Sequence, residues 1–126
     1  MDSSFEQMMA ELRTEYLASF PQKFSEIESH LKAREFVRLR EDFHKLKGTG
    51  KTYGIPEISE LCAVVEKICL NAAGATPDKQ TDLAHAAETV RVALTVLHRI
   101  VDSRKTGQQL NLAEVQEFNQ VKSAAN

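Results

Sequence analysis

The chain has 126 residues, of which 42% are hydrophobic and 27% charged, and carries a formal net charge of −2. That length suits one domain with a helical core that needs no disulfide staples. A pI near 6.1 gives no global pull toward nucleic acid or an anionic membrane, so neither is an expected partner and electrostatic recognition rests on local patches.

The N-terminus, Met1 to Glu6, lacks the basic region and apolar run of a signal peptide. No apolar run approaches the ~18–20 residues of a membrane span, and a cytoplasmic location is expected. Cys62 and Cys69 lie seven residues apart. That is about 10 Å along a helix, too far for an intrahelical disulfide. Both read as small core-lining residues in a reducing compartment. No Cys or His stands beside them at ligand spacing, so no metal site and no cofactor are expected.

Helical periodicity runs almost end to end, and no segment alternates convincingly as a strand. Phe5, Met9, Leu12 and Tyr16 form the seam of a first amphipathic helix. Phe20-Pro21 interrupts it, since proline is tolerated in a first turn but not in a helix interior. A second helix continues the seam through Phe24, Ile27 and Leu31, and its His30 reads as a surface residue. The third starts near Arg34 or Glu35. At about 100° per residue, Phe36, Leu39, Phe43, Leu46, Gly50 and Tyr53 share one of its faces. Gly50 within that stripe implies close approach by a neighbouring helix, and Gly54 is placed to end the element.

Pro56 and Glu57 open a fourth helix, whose seam is Ile58, Leu61, Val65, Ile68 and Ala72. Thr76-Pro77-Asp78 is the start signal for a fifth, the longest at about 25 residues. Its seam runs from Leu83 to Val101, with His85 and His98 off it as surface residues. After a polar run ending at Gly107, Asn111 to Glu114 resembles a capping box. Leu112, Val115, Phe118 and Val121 then line a short helix that either docks on the bundle or frays. The expected fold is all-α: an antiparallel up-down four-helix bundle with an additional N-terminal helix and a short C-terminal tail or helix. The bundle is expected over residues 1–107 and the tail over 108–126.

Chemistry concentrates in the third helix. Three of the five glycines fall between Gly48 and Gly54, although an interior glycine costs a helix about 0.8–1 kcal/mol against alanine. Gly48 to Thr52 superficially resembles the end of a phosphate-binding P-loop. The full pattern requires a glycine at position 45, occupied here by Lys45, and a preceding strand, so nucleotide binding is set aside. His44 points away from the apolar stripe, and Val37, Arg40, Lys47, Gly48 and Lys51 cluster around its direction. A neutral imidazole is a competent nucleophile near neutral pH. Neighbouring cations disfavour a protonated ring and would hold a transferred phosphoryl group. Gly48 removes a side chain where another protein would approach.

His44-Lys45-Leu46-Lys47-Gly48-Thr49-Gly50, continuing to Gly54, Leu61-Cys62 and Glu66, resembles the signature of histidine-containing phosphotransfer (HPt) domains. The motif spans about residues 43–66, and the helical periodicity extends the resemblance over roughly 5–103. The resemblance implies that His44 is the phosphoacceptor, phosphorylated at Nε2, with Lys47 neutralising phosphate. Gly48, with Val37, Arg40 and Lys51, would face the partner, a response regulator receiver domain, and a sensor histidine kinase would stand upstream. It further implies a phosphocarrier without its own ATP site, working with no bound metal because the magnesium belongs to the receiver, and able to act as a monomer. Thr49, Tyr53 and Ile55-Pro56 depart from the family's usual residues and bear on partner choice. The competing expectation is a helical adaptor that binds receiver domains or other signalling partners without being phosphorylated.

Overall fold

The apolar seams close on one another as helices. The computed structural model describes residues 3–75, 78, 80–107 and 110–124. Among them six helices follow in order: α1 Ser3–Ala18, α2 Phe20–Lys32, α3 Phe36–Thr52, α4 Pro56–Ala73, α5 Gln80–Thr106 and α6 Leu112–Ala124. No strand occurs among the described residues. Helices α2 to α5 form the antiparallel up-down bundle; α3 and α4 are its most extensively packed pair, and α2 meets α5 to close the ring. Helix α1 is the additional N-terminal element, and α6 lies against α4 and α5.

The core takes one stripe from each bundle helix, including Phe20, Ile27, Leu39, Phe43, Ile58, Leu61, Val65, Val90, Leu97 and Ile100. Two tight ends aim α3. Arg34 takes a left-handed φ of 52° after α2, a conformation that costs a non-glycine residue roughly 1–2 kcal/mol. The Glu35 N–H then donates to His30 O at 2.9 Å, closing the helix end. Beyond α3, Gly54 has φ 79°, and the Ile55 N–H donates to Gly50 O at 2.8 Å. This six-to-one bond with a buried apolar residue after the glycine is a Schellman ending. Pro56 starts α4 immediately, so α3 and α4 turn back on each other over three residues, Tyr53 to Ile55.

Several details differ from the expectations. The interruption at Phe20-Pro21 is a single residue, Ser19, whose N–H still donates to Glu15 O at 3.1 Å. The first seam buries only at its end: Tyr16 and Leu17 are covered, whereas Phe5 is 55% and Leu12 37% exposed. Helix α1 reaches cover only where it meets α2, α5 and the α3–α4 turn. There the Arg13 Nε–H donates to Tyr53 O at 2.9 Å, and the Tyr16 hydroxyl lies 2.8 Å from Thr49 Oγ1. His98 is not a free surface residue. Its ring stacks on Phe24 at 3.5 Å between centroids, and its Nε2 lies 3.7 Å from Glu28. His30 is partly exposed, as expected, but its Nδ1 is 2.6 Å from Asp42 Oδ2 and ties α2 to α3.

Thr76 and Pro77, the expected cap of α5, lie outside the described residues, as do Gln108 and Gln109 at the expected start of the tail. Of the two alternatives for the last helix, the structure takes docking. The Asn111 N–H donates to Glu114 Oε2 at 2.9 Å, and the Glu114 N–H donates to Asn111 Oδ1 at 3.0 Å. Val121 is 2% exposed, and Arg99 pairs with Glu117 across α5 and α6.

Candidate functional site

Helical geometry puts residues 37, 40, 44, 47, 48 and 51 on one ridge of α3, beside the edge that packs on α4. Phe43 and Leu46 on the opposite side are buried, which anchors the helix and turns His44 outward. The imidazole is 60% exposed. Val37, Lys47, Gly48 and Lys51 are also exposed, and Arg40 is half-buried. The structure therefore brings together all six residues singled out from the sequence.

It also adds a carboxylate. Glu66, on the facing helix α4, places Oε2 2.9 Å from His44 Nδ1 and 3.6 Å from Lys47 Nζ. Its side chain is only 14% exposed, so it is a fixed acceptor rather than a waving surface acid. An ionised carboxylate only accepts, so this bond holds the proton on Nδ1 and leaves the lone pair on Nε2. The sequence motif includes Glu66 without giving it a role. The missing signal is the antiparallel register of α3 and α4, in which 44 faces 66, and a single helix's periodicity does not carry it.

The same register produces a second contact behind the site. The Ser59 hydroxyl accepts from the Lys51 N–H and donates to Lys47 O, both at 2.6 Å. It thus bridges the backbone turn of α3 that carries Lys47, Gly48 and Lys51. The glycines divide by role here. A methyl group at Gly50 would meet Ile58 Cβ at 2.8 Å and the Ser59 backbone nitrogen at 2.9 Å, whereas one at Gly48 would meet nothing within 4 Å. Gly50 lets α4 approach; the missing side chain at Gly48 makes room for no described neighbour.

The cations are not equivalent. Lys47 faces Glu66. The Arg40 side chain forms no ion pair or hydrogen bond among the described residues, and its Nε is buried without a partner. Such an orphaned donor costs about 1–3 kcal/mol and calls for an explanation. The two thiols are inert by contrast. Burial, followed by the charge of Glu66, pushes the Cys62 thiol far above its ordinary range. Burial, followed by the charge of Asp42, pushes Cys69 up to about 12. Among the described residues no group of three or more His, Cys, Asp or Glu is placed to hold a metal ion.

A rigid helix presenting an imidazole with one oriented nitrogen, beside cations and bare backbone, suits the carriage of a small anionic group. The family model of the Hpt domain matches residues 11–124. The chain belongs to the Hpt domain family. No curated protein and no solved structure matches it. The match covers all of α2 to α6 and the second half of α1. Membership makes the protein a phosphocarrier-type module of two-component signalling. No described helix of the Hpt domain is long and apolar enough to cross a membrane.

Proposed function

We propose that this Hpt domain accepts a phosphoryl group on His44 Nε2 from a receiver-domain aspartyl phosphate or a sensor histidine kinase and passes it to a response regulator receiver domain. The observation that carries this reading is the bond between His44 Nδ1 and Glu66 on a ring that is otherwise open to solvent. In the accepting step the Nε2 lone pair attacks phosphorus. The bond from phosphorus to the aspartyl oxygen breaks, and its electron pair leaves on the carboxylate. Positive charge develops on the ring as the new N–P bond forms, and Glu66, accepting from Nδ1–H, offsets it. Lys47, one turn beyond His44, moves its charge from Glu66 toward the incoming phosphoryl oxygens. Delivery reverses these steps. The domain acts as a cytoplasmic monomer, with its partner seated over Val37, Arg40, Gly48 and Lys51; the clear space above Gly48 supports that seat.

Incubation with phosphorylated receiver or an active kinase tests the reading through acid-labile, alkali-stable label. Wild type takes up label and His44→Gln takes up none. Receiver binding without label on either protein would instead establish an unphosphorylated adaptor.

A further inference from the structure

Arg40 stands one turn before His44 on the same ridge of α3, and it is the cation there whose state the fold leaves incomplete. Lys47 already faces Glu66. Among the described residues Arg40 has no acidic partner, and its Nε is sealed from solvent with no acceptor. With Nε buried, the stem of Arg40 lies against the bundle wall. Side chains on a helix lean toward its N-terminus, so the His44 ring projects over the turn that carries Arg40. With Nδ1 held by Glu66, Nε2 is the nitrogen left to carry a group over that turn.

We infer that Arg40 is the phosphate clamp of the phosphorylated state: its guanidinium takes two oxygens of the phosphoryl group on His44. The inference rests on the proposed role of His44 and deepens it. A phosphoryl group supplies the acceptor that the unphosphorylated fold lacks. To meet it, the Arg40 stem rotates about its inner side-chain bonds, lifting Nε off the bundle wall and swinging the guanidinium back toward residue 44. This brings the edge formed by Nε and one terminal nitrogen to face two oxygens, the two-point geometry arginine makes with phosphate. Lys47 and Arg40 then divide the work. Lys47, shared with Glu66, serves arrival and departure, while Arg40 holds the group between transfers and sets how far the exchange with a receiver aspartate lies toward His44.

The full chain is phosphorylated with phosphoramidate, and the second ionisation of the phosphoryl group is followed by phosphorus NMR against pH. A clamping arginine keeps that ionisation low. Arg40→Gln is expected to raise it by about 1 pH unit. The same variant should shift the equilibrium with a receiver aspartate away from His44 by about tenfold. Arg40→Lys keeps the charge and loses the fork, so it moves both readouts part of the way and carries the test if the glutamine variant unfolds. Lys45→Gln removes an equal charge from the neighbouring residue, a quarter-turn away, and should move them little. Titration and equilibrium unchanged in the Arg40 variants, or shifted equally by Lys45→Gln, overturn the clamp. Wild type that takes no phosphoryl group at His44 overturns the underlying phosphoacceptor assignment instead.

Discussion

Gly48 and Gly50 sit two residues apart on one helix and should respond to the same substitution in opposite directions. At Gly48 a methyl group enters open space, and removing a flexible glycine from a helix interior stabilises by about 0.5–1 kcal/mol. At Gly50 the methyl collides with Ile58 Cβ and the backbone of Ser59. Neither backbone nor a β-branched Cβ gives way easily, so Gly50→Ala costs about 1–3 kcal/mol. Urea unfolding of the two alanine variants checks both signs. Gly48→Glu should leave the unfolding midpoint no lower than wild type and stop phosphotransfer, because the added side chain stands where the partner seats. An unchanged transfer rate would remove the clearance argument for Gly48.

At the level of whole helices, the two terminal elements behave differently from what their periodicity announces. Helix α1 has the more regular seam, yet its Phe5 and Leu12 stay exposed because the helix is covered only near Tyr16 and Leu17. Helix α6 has spacings of three that drift around a 3.6-residue turn, yet it docks through Val121, with Leu110 and Phe118 partly buried against the core. Its reciprocal cap and the Arg99–Glu117 pair hold the start and middle of the helix. We propose that α6 is part of the cooperative bundle rather than a separable tail. Truncation after Gly107 should then lower unfolding stability by about 2–4 kcal/mol, mainly through the apolar surface exposed on α4 and α5. A truncated chain as stable as the full one in urea would restore the division at residue 107.

For the molecule as a whole, the clearest pH dependence lies on the alkaline side. Burial, opposed by the hydrogen bond with Thr49, pushes the Tyr16 phenol up to about 12. In the unfolded chain a phenol ionises at about pH 10. Below that the stabilisation from keeping Tyr16 neutral is fully present, and it is lost as pH rises toward about 12. Cys69, also pushed up to about 12 by burial, acts in the same sense from its ordinary value of 9.0 upward. Lys23 works against them, since burial lowers its pKa and the folded state loses that proton first. The net expectation is a urea midpoint that falls steadily above about pH 9. Tyr16→Phe should flatten the part of that fall above about pH 10, and a flat wild-type profile would contradict it.

Much of this protein is readable from residue order because helices are local. The seams of α2 to α5, the proline starts and the glycine end of α3 follow from contacts within a few residues, and so does the outward direction of His44, which needs only the phase of Phe43 and Leu46 around one axis. Whatever depends on how two helices lie against each other is not readable that way. The pairing of His44 with Glu66, the Ser59 hydroxyl bridging Lys47 and Lys51, the stacking of His98 on Phe24 and the orphaned Arg40 Nε all arise from interhelical register. Register is set by the close approach of α3 and α4 at Gly50 and by the three-residue turn between them. Periodicity names the face a side chain occupies, while packing chooses the atom it meets.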